Sequence, residues 1–170
     1  MKKYITYILA LLLGMAATSC SKDEIPMTST VALAGEWMVE GYFGDEQLTD
    51  PFMILTYNTN DDDGTRMWIM DTSPANNPAW WSPITQVEVD CNVSTLAFGS
   101  TKTEVNINPI DEATPLYVTV TEGKILPGGA VSPSGMPVDG IEFKIEYSDD
   151  PGTVYTIKGY RRTGFVADEG

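Results

Sequence analysis

The sequence predicts an all-β protein built as an antiparallel up-and-down barrel of about eight strands, with a β-sandwich as the alternative. Three observations carry this. Short runs rich in β-branched and aromatic residues alternate in polarity and are bounded by Gly, Pro, Asn and Asp clusters. Beyond residue 20 no stretch of about eleven residues keeps an i, i+3, i+4 apolar pattern with capping signals. The connections between the runs are mostly short, which suits antiparallel neighbours, and closing such a sheet removes its exposed edges. An apolar fraction of 42% is ordinary for a packed domain and argues against wholesale disorder.

The strands follow in order. Gly35–Phe43 opens the domain, and Phe52–Tyr57 and Arg66–Asp71 follow, joined by the turn Asn60-Asp61-Asp62-Asp63-Gly64. Met53, Leu55, Tyr57, Met67, Trp68, Ile69 and Met70 make this pair apolar on both faces, so its phase stays open. Ile84–Cys91 comes next, then Thr95–Gly99 leading to Glu104–Ile107, then Leu116–Glu122. Leu126 to Val138, with Pro127, Pro133 and Pro137, reads as the longest irregular connection, either a lid over a barrel mouth or a surface loop. Val138–Tyr147 alternates most clearly, with Ile141, Phe143, Ile145 and Tyr147 on one face and Glu142, Lys144 and Glu146 on the other. Asp149-Asp150-Pro151-Gly152 turns the chain into the last strand, Val154–Arg162.

Composition removes several chemistries. With no histidine and two cysteines, the chain cannot build a Ser-His-Asp or Cys-His unit, a His-ligated zinc site or a four-thiolate site. A net charge of -14 repels phosphates, so no nucleic-acid partner is expected. The triple Asp61-Asp62-Asp63 lacks the alternating ligands of a calcium loop and reads as a solvated hairpin tip, so no metal or other cofactor is expected.

The first residues read as an address. Met1-Lys2-Lys3 precedes an apolar run from Ile5 to Ala17, too short to span a bilayer, where about 20 residues are needed. The run ends in Ala17-Thr18-Ser19-Cys20, which resembles a bacterial lipobox. The resemblance implies that residues 1–19 are a cleaved signal peptide and that Cys20 is acylated, for example with palmitate, as the mature N-terminus. Residues 20–33 then form a lipidated tether and 34–170 the barrel domain. Losing Lys2 and Lys3 leaves eight basic against 24 acidic residues, a net charge of -16, so the membrane is met through the lipid anchor only. Cys20-Ser21-Lys22-Asp23-Glu24 is similar to the export tag of lipoproteins on the outer face of the outer membrane; read as a plain linker, it leaves the protein on the periplasmic leaflet. With Cys20 acylated, Cys91 has no partner for a disulfide and is expected as a small buried hydrophobe.

Gly35-Glu36-Trp37 resembles the Gly-x-Trp motif that opens the first strand of lipocalins and related calycins. In those barrels an Arg near the end of the last strand packs over the Trp, and the resemblance implies that Arg161 closes the barrel on Trp37. The lipoprotein-type signal, Ala34-Gly35-Glu36-Trp37-Met38-Val39 and the length together resemble the lipid-binding putative hydrolase family of bacterial surface lipoproteins with lipocalin-like barrels.

The function expected on this reading is a surface-anchored lipoprotein that binds a small apolar, lipid-like ligand inside the barrel. Trp37, Val39, Phe52, Ile54, Met67, Ile69, Phe143, Ile145 and Ile157 are the expected lining, with Met53, Leu55, Trp68 and Met70 as substitutes if the strand phase is reversed. Trp80 and Trp81, in a Pro/Asn segment, either form a mouth loop that stacks on a sugar or inserts into lipid, or fold back to plug one end. Two other readings remain open. A hydrolase without histidine would need a carboxylate pair; no hydrolase motif is found, and Glu88 and Asp90 read as the wet face of a strand. An accessory lipoprotein would dock onto an outer-membrane protein partner through the apolar strand faces.

Overall fold

The computed structural model describes residues 26–72, 86–100, 104–105 and 116–168. Among the described residues there are ten strands: β1 (Gly35–Phe43), β2 (Glu46–Gln47), β3 (Phe52–Asn58), β4 (Arg66–Asp71), β5 (Gln86–Asn92), β6 (Ala97–Gly99), β7 (Glu104–Val105), β8 (Tyr117–Val131), β9 (Pro137–Tyr147) and β10 (Tyr155–Arg161). A 3-10 turn, Val166–Asp168, follows. The sheet runs β10-β9-β8-β6-β5-β4-β3-β1, all neighbours antiparallel, and β10 returns to pair with β1. β6 and β7 share one stave against β8, and β2 is a short return on β1, so the structure is a closed eight-stave barrel rather than a sandwich.

Period-two burial sorts each strand into an inner and an outer face. In β1, Trp37 and Val39 are fully buried inside, while Met38 and Glu40 are half-exposed outside. Register sets the phase that the sequence leaves open. Trp37 lies opposite Ile54, which turns Phe52, Ile54 and Thr56 inward; Thr56 lies opposite Ile69, which turns Met67, Ile69 and Asp71 inward. Met53, Leu55, Trp68 and Met70 are half-buried on the outer wall.

The closing seam between β1 and β10 needs close backbone approach. Gly159 stands opposite Val39, and a Cβ there would overlap the Met38 carbonyl oxygen and the Val39 Cα. No side chain fits that seam without parting the strands.

Two expectations are corrected here. Leu126 to Val138 is not an irregular connection: β8 continues through Val131, pairs with Pro137 and Val138, and turns tightly at Ser132–Met136. Register shifts between Thr121 and Lys124 and between Leu126 and Ala130 absorb the glycines, and Pro137 sits at a strand start, where its missing N–H costs little. Cys91 is half-buried instead of fully buried: it packs on the edge of the core and its thiol donates to the Gly64 carbonyl at 3.5 Å. Burial and the nearby charges of Asp63 and Asp90 push that thiol up from its ordinary pKa.

Candidate functional site

The two ends of the barrel differ in chemistry. At one end Thr30 and Leu33 are fully buried beneath β1, held in a turn by Leu33 N–H donating to the Thr30 carbonyl at 2.8 Å. The Trp37 indole Nε1 donates to Thr56 Oγ1 at 2.8 Å, and Thr56 Oγ1 donates to the Leu33 carbonyl at 2.6 Å. Thr56 is thus a polar side chain turned inward to satisfy the indole and the plug together. Arg161 lies directly opposite Trp37 in the sheet, with its guanidinium carbon 4.4 Å from the ring centroid. Its Nη1 donates to the Ala34 carbonyl at 2.9 Å and its Nε lies 3.3 Å from Asp139. Gly35 makes room for this: a Cβ there would lie 2.6 Å from Arg161 Nη1. These groups form a sealed floor.

The opposite end is the mouth. Strands β1, β4 and β9 end there, and β3, β5, β8 and β10 begin there. A cavity of about 30 Å³ lies just inside, lined by Phe52, Ile54, Ile69, Asp71, Val87, Val120, Phe143, Ile145, Tyr147 and Ile157. Six of the nine residues expected as lining border it: Phe52, Ile54, Ile69, Phe143, Ile145 and Ile157. Trp37, Val39 and Met67 are fully buried in the core but do not border it, and Trp37 belongs to the floor. Val87, Val120, Tyr147 and Asp71 are lining residues that the sequence reading missed. The signal for Asp71 was present in the alternation Met67, Ile69, Asp71, which carries a carboxylate onto an inward face at the strand end.

Aromatic rings and acids crowd this mouth. Tyr147 meets Tyr155 edge-on with centroids 6.3 Å apart, and Phe43 lies 6.1 Å from Tyr155. The Tyr155 hydroxyl donates to Asp150 at 2.6 Å. Its pKa is pushed up to about 12, first by burial of the ring, then by that hydrogen bond and by the charges of Asp150 and Asp149. Asp71 is 5% exposed and is the one charged residue among the described residues around the cavity, whose exposed wall is apolar.

Other candidate residues sit elsewhere. Glu88 and Asp90 point outward and flank Arg66, at 3.2 and 3.5 Å. Asp62 accepts from the Ser29 N–H and hydroxyl at 2.8 and 2.7 Å, and Asp63 from the Thr65 N–H and hydroxyl at 2.9 and 2.7 Å. The triple-Asp turn thereby grips the N-terminal segment and its own strand. Cys20, Trp80 and Trp81 lie outside the described residues.

A closed eight-stave antiparallel barrel, sealed at one end by a Trp–Arg pair and hollow at the other, defines the lipocalin-like class. The family model described as lipid-binding putative hydrolase matches residues 22–166, and the chain belongs to that family. A search among curated proteins finds no match.

Proposed function

We propose that the protein is a lipoprotein anchored through Cys20 in the outer membrane, facing the cell surface, whose barrel takes the apolar part of a small lipid-like molecule into its mouth. The observation that carries the binding half is the cavity: nine of the ten described residues that line it are apolar or aromatic, and it lies at the end opposite the Trp37 floor. Membership of the lipid-binding family supports the same reading. The volume sets the mode of binding. About 30 Å³ holds a short alkyl terminus, whereas a whole drug-sized ligand needs some hundreds of Å³. The ligand therefore enters end-first and shallowly. Three buried methylenes contribute roughly 2–2.5 kcal/mol, which alone corresponds to an affinity in the range of tens of millimolar, so tighter binding must draw on the part of the ligand that lies along the rim outside the cavity.

The test is a titration of short- and medium-chain amphiphiles followed by Trp emission, run on the mature protein and on Val120→Phe, which fills the cavity. Saturable binding lost in Val120→Phe supports the reading. Absence of saturable binding, or binding untouched by the filled cavity, refutes it. For the anchor, wild type should incorporate labelled palmitate and fractionate with membranes, and Cys20→Ala should do neither. A Cys20→Ala variant that stays membrane-bound, beside a wild type that takes up no label, overturns that half.

A further inference from the structure

Exposed apolar side chains gather at the closed end of the barrel. β8 ends there, β9 begins there, and the chain leaves β10 there after Arg161. Val131 and Met136 flank the β8–β9 turn and are 64% and 48% exposed; Phe165 and Val166, past the end of β10, are 57% and 93% exposed. The two pieces form one surface. Asp168 accepts from the Ser134 N–H and hydroxyl at 2.6 and 3.1 Å, and the Tyr160 hydroxyl donates to the Asp168 carbonyl at 3.4 Å. The turn itself is closed by the Ser132 N–H donating to the Met136 carbonyl at 2.9 Å. A fixed backbone thus holds these side chains out into solvent, and large apolar groups presented together mark a protein or membrane contact.

Charge and position decide between the two. The whole chain has a net charge of -14, yet it carries no charged side chain between Lys124 and Asp139 or between Arg162 and Asp168. The tip is therefore free of the acidic charge that repels the rest of the chain from a headgroup layer. Glu36 and Asp139, also at the floor, pair with Arg162 and Arg161. The Asp61-Asp62-Asp63 turn lies across the barrel, because β8 and β9 stand diametrically opposite β3 and β4 in the ring of staves. The point of attachment supplies the occupant. Six residues lead from Cys20 to Pro26, a reach of at most about 20 Å. That segment meets the barrel at Ser29 and Leu33, on the floor, whereas the mouth lies about 30 Å further along β1.

We infer that the β8–β9 tip and the C-terminal turn beside it dip into the interface of the membrane that anchors the chain. Val131, Met136, Phe165 and Val166 enter about 5–10 Å, to the boundary of headgroups and acyl chains, as the apolar faces of interfacial helices do. The barrel then tilts toward its β8–β9 side and lifts the Asp61-Asp62-Asp63 turn into water. This rests on the acyl anchor at Cys20 proposed above and adds a protein-borne contact to it, where whole-chain charge alone predicts contact through the lipid only.

The experiment reconstitutes the acylated mature protein into phosphatidylcholine vesicles. An environment-sensitive fluorophore is placed on a single cysteine, Met136→Cys, Val166→Cys, Asp61→Cys or Leu48→Cys, in a Cys91→Ala background. Far-UV circular dichroism establishes that each variant folds; all four labelled positions are exposed. The probes at 136 and 166 should shift to the blue, be quenched by doxyl-labelled lipid and be shielded from iodide. The probes at 61 and 48 should behave in the opposite way. Met136→Asp should return the probe at 166 to water. A probe at 136 open to iodide and untouched by doxyl lipid, on protein that is membrane-bound, overturns this inference and leaves the anchor standing. Quenching at 61 as strong as at 136 also overturns it, since closeness to the bilayer alone then accounts for the signal. A tip open in vesicles but shielded in native outer membranes is covered by a partner protein, and the lipid assignment falls. A wild type that is neither acylated nor membrane-bound overturns the anchor and this inference together.

Discussion

The floor of the barrel can be tested by removing Trp37 and Arg161 singly and together. Trp37 is 0% exposed, and truncating a fully buried aromatic to alanine costs about 3–5 kcal/mol. A domain of this size has about 5–15 kcal/mol in total, so Trp37→Ala removes about a fifth of it or more. With an m-value of about 2 kcal/mol/M, the urea midpoint falls by about 2 M. Arg161 is one-third exposed, so its losses are smaller: about 1 kcal/mol for the hydrogen bond to the Ala34 carbonyl and at most about 1 for the Asp139 pair. Only the stacking on the indole is shared between the two residues, and a half-exposed cation–π contact contributes about 0.5–1 kcal/mol. The double-mutant cycle should return a coupling of that size, and Arg161→Lys should lose most of it because an ammonium cannot stack as a plane. The assay is equilibrium urea unfolding with an unchanged m-value. A coupling indistinguishable from zero, or a Trp37→Ala midpoint within a few tenths of a molar of wild type, refutes the account of the floor.

Three further outcomes follow from other parts of the barrel. Gly159→Ala should cost about 3 kcal/mol or more, measured by the same unfolding curve, since the new methyl meets backbone that cannot yield. The Tyr155 phenol should ionise near pH 12 in a spectrophotometric titration at 295 nm, read as the difference between wild type and Tyr155→Phe; its folded pKa lies above the unfolded value of about 10, so its contribution to stability is complete below pH 10 and is lost as the pH rises from there toward 12. Asp168 accepts from the Thr163 hydroxyl at 2.6 Å and from the Ser134 N–H and hydroxyl at 2.6 and 3.1 Å, which holds its carboxyl below the ordinary range. Its contribution is therefore present above about pH 3.9 and lost as the pH falls through the lowered folded value, so the Ser134 amide shift should titrate in step with the Asp168 carboxyl carbon below pH 3.9.

The staves and their order were readable because alternation and turn residues are local signals. Ile141, Phe143 and Ile145 could face only one way, and the turn at Asp149–Gly152 could only reverse the chain. β3 and β4 were different. Their residues are apolar on both faces, so alternation alone decides nothing, and the choice came from register against Trp37. The inward Thr56 shows why: a polar residue that looks fit for the outside is turned in to accept the indole N–H. The β8–β9 hairpin was hidden by Pro127, Gly128 and Gly129, which read as loop and instead lie in a bulge between paired segments. Asp71 was hidden by its type. A carboxylate at a strand end reads as the start of a turn, and only the closed barrel makes that position interior.

The N-terminal segment meets the barrel at its floor. Ser29 is gripped by Asp62, and Leu33 is sealed under Thr56 and Trp37. Any attachment upstream of Pro26 therefore pulls on the closed end. Held there, the barrel would stand on its sealed base like a cup on its foot, with the aromatic and acidic rim turned away from the point of attachment. Tension on such an attachment would bear on the Trp37 floor before it reached the cavity.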